Sequence, residues 1–167
     1  SFGIEQSRQQ GDEQLWCNDS QLESDLSLGF PSTYIENIAE PISLYRELDS
    51  LTNEEALVEY QKRLIDRFGT LPEIAEELLN VVRLRWLCGR LGIEKIFLKS
   101  GRMVMYFVLT NPRYWQSEAF GNIINYARSR AQRCQIVEER DKTGKPTGRR
   151  YATIQQVQSV GGAIHLL

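Results

Sequence analysis

The chain has 167 residues, 41% of them hydrophobic and 10% aromatic, with a formal net charge of −2. Three tryptophans, seven tyrosines and six phenylalanines supply enough apolar mass for a core, which excludes wholesale disorder. No apolar run approaches the roughly 18 residues of a membrane span and the N-terminus is polar, so no membrane span or signal peptide is expected.

The charge is uneven. Residues 1–112 hold 11 Lys+Arg against 18 Asp+Glu, residues 113–150 hold 9 against 4, and the remainder hold none. A basic C-terminal half suits either an acidic partner or a solvated hairpin. Cys17, Cys88 and Cys134 are odd in number and far apart, and the single histidine, His165, lies two residues from the end. This argues against a zinc site or a disulfide framework and favours a reducing compartment, the cytoplasm. Met103 and Met105 are the only methionines and Ser1 comes first, so the chain reads as a piece of a longer protein.

Residues 1–20 are rich in Gln, Ser, Gly and Asp and read as a flexible lead-in, with Trp16 as an anchor for the start of the ordered part. The remainder, 21–167, reads as a single module. Leu22–Leu28 alternates loosely before Gly29-Phe30-Pro31 and predicts a short edge strand. Pro41 fits the first turn of a helix carrying Leu44, Tyr45 and Leu48. Thr52 and Glu55 predict a capping box for a second helix, in which Leu57, Tyr60, Leu64, Ile65 and Phe68 recur at helical spacing. Gly69 predicts a left-handed cap, and Thr70 with Glu73 a second capping box, marking a tight corner. A third helix, Leu71 to Leu91, is apolar over most of its girth (Ile74, Leu78, Leu79, Val82 and Trp86 among others) and is expected to be central. Gly92 ends it.

Ile93–Leu98 and Met103–Leu109 predict two strands joined at Lys99-Ser100-Gly101-Arg102, the second apolar on both faces and so interior. Asn111-Pro112 opens a helix with Phe120, Ile123, Ile124 and Ala127. Strands at Cys134–Glu139 and Arg149–Ile154 flank a turn, and Ile154–Val160 predicts a last short helix before Gly161-Gly162. No repeated βαβ unit is present, so the fold class is α+β: an antiparallel sheet with helices packed against it.

Catalytic constellations are missing. There is no phosphate-binding glycine loop, no histidine positioned for a nucleophile, and Glu76 and Glu77 point roughly 100° apart on their helix. Two surfaces remain. Arg128, Arg130, Arg133, Arg149 and Arg150, with Arg140, Lys142, Lys145, Tyr126 and Tyr151 nearby, suit either a solvated hairpin or nucleic-acid contact. On the second helix, stepping about 100° per residue from Leu57 places Asp66 opposite the apolar stripe, with Arg63 and Arg67 on its flank. That fork can make charge-assisted bonds to a partner protein. It can equally be a solvated face held by Glu59–Arg63 and Lys62–Asp66 pairs.

Leu64-Ile65-Asp66-Arg67-Phe68-Gly69-Thr70-Leu71-Pro72, followed by Arg83-Leu84-Arg85 and Leu91-Gly92-Ile93, resembles the C-terminal TRCF (autoinhibitory) module of the bacterial transcription-repair coupling factors. Leu26-Ser27-Leu28-Gly29-Phe30-Pro31, Tyr34-Ile35 and Ser43-Leu44-Tyr45-Arg46 are similar to that family's entry strand and first helix. The resemblance covers residues 22–109. It implies a non-catalytic regulatory module of an ATP-dependent DNA translocase, with ATP bound only by the parent's motor domains and no cofactor here. The module would dock on the N-terminal UvrB-like domain of its own chain through Arg63, Asp66 and Arg67. It would thereby mask the UvrA-binding surface and restrain activity until RNA polymerase is engaged, DNA being held by other domains. Two departures stand out: Arg63 sits where relatives often carry an acid, and Pro41 where they carry an arginine.

Overall fold

A computed structural model describes residues 15–36, 39–108 and 111–167. Of the expected lead-in at 1–20, residues 1–14 lie outside the described residues. The elements are β1 (Gln21–Ser24), α1 (Ala39–Ser50), α2 (Glu54–Phe68), α3 (Glu73–Leu91), β2 (Ile93–Lys99) and β3 (Arg102–Phe107). A 3₁₀ turn (Pro112–Gln116), α4 (Glu118–Ser129), β4 (Cys134–Arg140), β5 (Pro146–Ile154) and α5 (Val160–Leu166) complete the chain. Within the module expected at 21–167 there are two compact units. One holds the described residues up to Leu26 and all from Leu84 onward; the other is Ser27–Arg83.

The first unit is built on a five-stranded sheet of order β1-β2-β3-β5-β4. It is mixed rather than antiparallel as expected, because β1 pairs parallel with β2 while the other pairs are antiparallel. Side chains make that non-local pairing specific. Glu23 lies opposite Phe97 and reaches Lys95 at 3.3 Å and Lys99 at 3.6 Å, one on either side of it. The buried Ser20 hydroxyl donates to the Ile93 carbonyl at 2.7 Å, and the Ser100 amide donates to Asp25 Oδ2 at 2.8 Å. The hairpin from β2 to β3 turns through Ser100 at φ 53° and Gly101 at φ 71°, the positive pair a two-residue hairpin favours.

Strand alternation gives the sheet two faces. Ile96, Leu98, Met103, Met105, Phe107, Ala152 and Ile154 are all buried. Above them lie aromatic rings of the 3₁₀ turn and α4, with Phe120 5.4 Å from Phe107 and 4.8 Å from Trp115. The opposite face carries half-buried Phe97, Val104, Tyr106 and Tyr151. At the start of the unit the amides of Trp16 and Cys17 donate to the Gly89 carbonyl, and Trp16 meets Tyr114 edge-on at 5.4 Å.

Two helices differ from expectation. The helix expected at Pro112 breaks into a 3₁₀ turn capped by Asn111 and a separate α4 capped by Ser117, whose side chain accepts from Phe120 N. The last helix comes after Ser159 and includes Gly161-Gly162, whereas Ile154 ends β5. The ladder with β3 and β4 claims the chain through Ile154, and the Ser159 cap then starts a helix whose Val160 and Ala163 are buried.

In the second unit α2 is capped by Asn53, whose side chain accepts from Ala56 N at 2.8 Å, one residue later than the expected Thr52 box. Helix α3 starts at Glu73, with Glu76 N donating to the Pro72 carbonyl, so the cap position falls on Pro72 and not on Thr70. Between the two, Gly69 has φ 90° and ψ −166°, a glycine-only region distinct from the expected left-handed helical cap. The Tyr34 hydroxyl donates to the Gly69 carbonyl at 2.8 Å and its ring lies 5.7 Å from Phe68. Leu57, Tyr60 and Leu64 bury one face of α2 as expected, but Ile65 and Ile74 remain exposed at 41% and 39%.

Candidate protein-docking site

The polar side of α2 is where the charged residues of interest lie. Tyr60 defines its lower edge: it is fully buried and its hydroxyl donates to the Leu44 carbonyl at 2.8 Å. Burial first, and then the Glu47 carboxylate, push its phenol far above the ordinary tyrosine value. With α1 fixed against α2 at that point, the acids of α1 come within reach of the arginines of α2. Arg63 pairs with Glu47, and Arg67 pairs with Glu40. Arg63 also lies 5.8 Å from the Tyr60 ring and Arg67 5.1 Å from the Phe68 ring. A guanidinium held by a carboxylate and an aromatic face is more restrained than a solvated one.

Asp66 differs from both. It is exposed, and among the described residues no cation or hydrogen-bond donor meets its carboxylate. The expected Lys62–Asp66 pair does not form, because Lys62 turns to Glu59 at 3.6 Å, and the expected Glu59–Arg63 pair gives way to Glu47. Long-range partners on α1 win here over neighbours on the same helix. The result is a carboxylate with free acceptor lone pairs, flanked by two positioned guanidiniums, beside a cavity of about 330 Å³ lined by Leu44, Tyr60, Leu64 and Phe68 among others. Glu40 and Glu47 are the ion-pair partners of Arg63 and Arg67 that the sequence alone did not supply. Their spacing of two helical turns was the available signal, facing Arg63 and Arg67 in an antiparallel helix pair.

Other motif residues take structural roles. Arg83 Nε lies 3.0 Å from both oxygens of Glu54, which ties the first turn of α2 to α3. Leu84 is fully buried, and Arg85 donates to the Ser20 carbonyl at 2.9 Å and to Asp19 at 3.2 Å.

The basic residues of the C-terminal half do not all converge on one patch, although Arg128 and Arg150 line one groove. Arg149 and Arg150 are neighbours on β5 and therefore point to opposite faces. Arg149 pairs with Glu94 at 3.0 Å and lies over Tyr106 at 4.9 Å, whereas Arg150 lies over Trp115 at 4.7 Å. Arg133 donates to the Gln155 and Gln156 carbonyls, and Arg130 lies over Tyr126. Arg128 is exposed near the end of α4. Among the described residues no group of three or more His, Cys, Asp and Glu side chains is placed to hold a metal ion. No described helix is long and apolar enough to cross a membrane.

The TRCF domain family model matches residues 24–116, which take in the end of β1, the whole second unit and the β2–β3 hairpin. The chain belongs to the TRCF domain family. The TRCF domain is not itself catalytic. Curated relatives include the transcription-repair-coupling factor of Rickettsia prowazekii, 38% identical over 71 residues, which are 42% of this chain and 6% of that protein. That of Escherichia coli is 34% identical over 84 residues, 50% of this chain and 7% of that protein. The aligned part is thus well under a tenth of these relatives. A crystal structure of the C-terminal domain of a transcription-repair coupling factor matches with a TM-score of 0.68 at 16% identity, covering 89% of each chain. The likeness in fold thus spans more of the chain than the residues 24–116 matched by the TRCF family model.

Proposed function

We propose that this TRCF domain is the regulatory module of a transcription-repair coupling DNA translocase that acts with RNA polymerase. In this reading it docks through Asp66, Arg63 and Arg67 on the N-terminal UvrB-like domain of its own parent chain, masking the UvrA-binding surface. The observation that carries the reading is Asp66. An exposed carboxylate that finds no partner among the described residues, beside two arginines already held by α1, is a poor contributor to folding and a good acceptor for a partner's cation. Arg63, in place of the acid common in relatives, has its charge offset by Glu47 within this chain. The partner therefore needs no reversed charge opposite it.

The test is titration of this chain with the purified N-terminal domain of its parent. Binding that weakens as salt rises is expected, since the contact is exposed and ionic. Asp66→Ala removes a charge-assisted bond of about 1.5–3 kcal/mol, or roughly ten- to a hundredfold in Kd, and leaves thermal stability unchanged. Arg67→Ala should weaken binding as well, with a small loss of stability from the Glu40 pair. Absence of binding, or full affinity of Asp66→Ala, rejects the assigned surface.

A further inference from the structure

The first unit has a second surface that the docking reading does not use. Among the described residues, strand β4 lies at the edge of the sheet, hydrogen-bonded on one side only, to β5. Gln155 N donates to the Arg133 carbonyl, which fixes the alternation: residues 133, 135 and 137 turn their backbone groups toward β5. Ile136 and Glu138 consequently turn theirs off the edge, and among the described residues nothing pairs with them. An edge of this kind is a template for a further strand.

Beside this edge runs a groove between β4 and α4, with a volume of about 680 Å³. Phe120, Ile124, Ala127 and Ile136 give it an apolar lining, and Arg128 and Arg150 stand at its rim. Neither arginine meets a carboxylate among the described residues, and Arg150 is instead held over the Trp115 ring at 4.7 Å. Among the described residues the one acid lining the groove is Glu138, so its rim is net positive. An open strand edge, an apolar groove alongside it and unpaired guanidiniums above it are together the requirements for an extended acidic peptide. Nucleic acid fits less well, because the lining is largely aliphatic and Arg150 occupies the Trp115 face that a base would stack on.

We propose that the β4–α4 groove binds an extended peptide as a sixth strand, its apolar side chains facing Ile124 and Ile136 and its carboxylates meeting Arg128 and Arg150. Alternate peptide residues share a face, so apolar and acidic residues must occupy the same alternating positions. This site is separate from Asp66 and stands whether or not the docking reading holds.

The test uses the whole chain and a short synthetic peptide of alternating valine and threonine, with glutamate replacing the first and last valines. Fluorescence anisotropy should show saturable binding, and amide exchange at Ile136 and Glu138 should slow on binding. Replacing the glutamates by lysines should weaken binding about tenfold or more, and backbone N-methylation should abolish it. Arg128→Glu with Arg150→Glu, both exposed, should reverse the preference between the glutamate and lysine peptides. If that variant fails to fold, the lysine and N-methylated peptides still decide. The proposal is overturned by lack of binding, by equal binding of the lysine or N-methylated peptide, or by binding that leaves the Ile136 and Glu138 amides unprotected. It is also overturned if a short oligothymidylate displaces the peptide, which assigns the groove to nucleic acid, or if the chain self-associates through this edge and excludes the peptide.

Discussion

Gly92, which joins α3 to β2, is the position at which a single added carbon should do the most damage. Its φ is 78°, a region in which a residue with a side chain is strained by about 1–2 kcal/mol. A Cβ built there would lie 2.1 Å from Tyr114 Cε2 and 2.5 Å from its Cζ. The ring cannot yield easily. Tyr114 is fully buried, its hydroxyl donates to the Leu91 carbonyl at 2.5 Å, and Trp16 and Phe120 each lie 5.4 Å from it. Overpacking a core in this way costs about 1–3 kcal/mol more, so Gly92→Ala should destabilise by about 2–5 kcal/mol. Gly69→Ala is the control, because φ is also positive there, at 90°, but among the described residues nothing lies within 4 Å of the added atom. Urea denaturation followed by tryptophan fluorescence should show a clearly larger loss for Gly92→Ala than for Gly69→Ala. Adding Tyr114→Leu to Gly92→Ala should cost less than the sum of the separate effects, since the smaller side chain removes the clash. Equal losses at the two glycines, or strict additivity in the double variant, would refute the steric argument.

Two titratable groups lead to further outcomes. Asp141 has its carboxyl held below the usual aspartate range, chiefly by the Thr143 hydroxyl and the Lys145 amide. The order it gives the 141–145 turn is present above the unfolded aspartate value and lost as pH falls through the lower folded one. An acid titration by NMR should show the Thr143 and Lys145 amides shifting together below the usual aspartate range, and a shift at the ordinary value would contradict the geometry. Cys88 is fully buried, and burial pushes its thiol far up, whereas Cys17 is only half-buried. A thiol reagent at mildly alkaline pH should modify Cys17 first, with Cys88 reacting only as the chain unfolds. Early loss of Cys88 would show that α3 opens locally.

The local pieces were legible in the sequence because their signals span few residues. Ser100-Gly101 between two apolar runs is a hairpin by turn chemistry alone, and Leu57, Tyr60 and Leu64 announce the buried face of α2 by period. The interior position of β3 came from apolar residues on both faces. Absence of a βαβ repeat gave the α+β class, and the motif around Asp66 pointed to the family. Where competing local signals were close together the reading slipped, as with Thr52 against Asn53 and with the end of β5 against the start of α5.

Tertiary structure alone decided what depended on residues distant in the chain. The parallel pairing of β1 with β2 joins segments about seventy residues apart, and nothing in Gln21–Ser24 specifies direction until Glu23 meets Lys95 and Lys99. The same holds at Asp66. Sequence spacing offered Lys62 as its partner and Glu59 as that of Arg63, both within one helix. Exposed pairs on a helix contribute only a few tenths of a kcal/mol, so packing of α1 against Tyr60 was enough to redirect Arg63 and Arg67 to Glu47 and Glu40. The sequence by itself determined which residues face outward on α2; only the packing of α1 beside it decided which of them were left to meet something else.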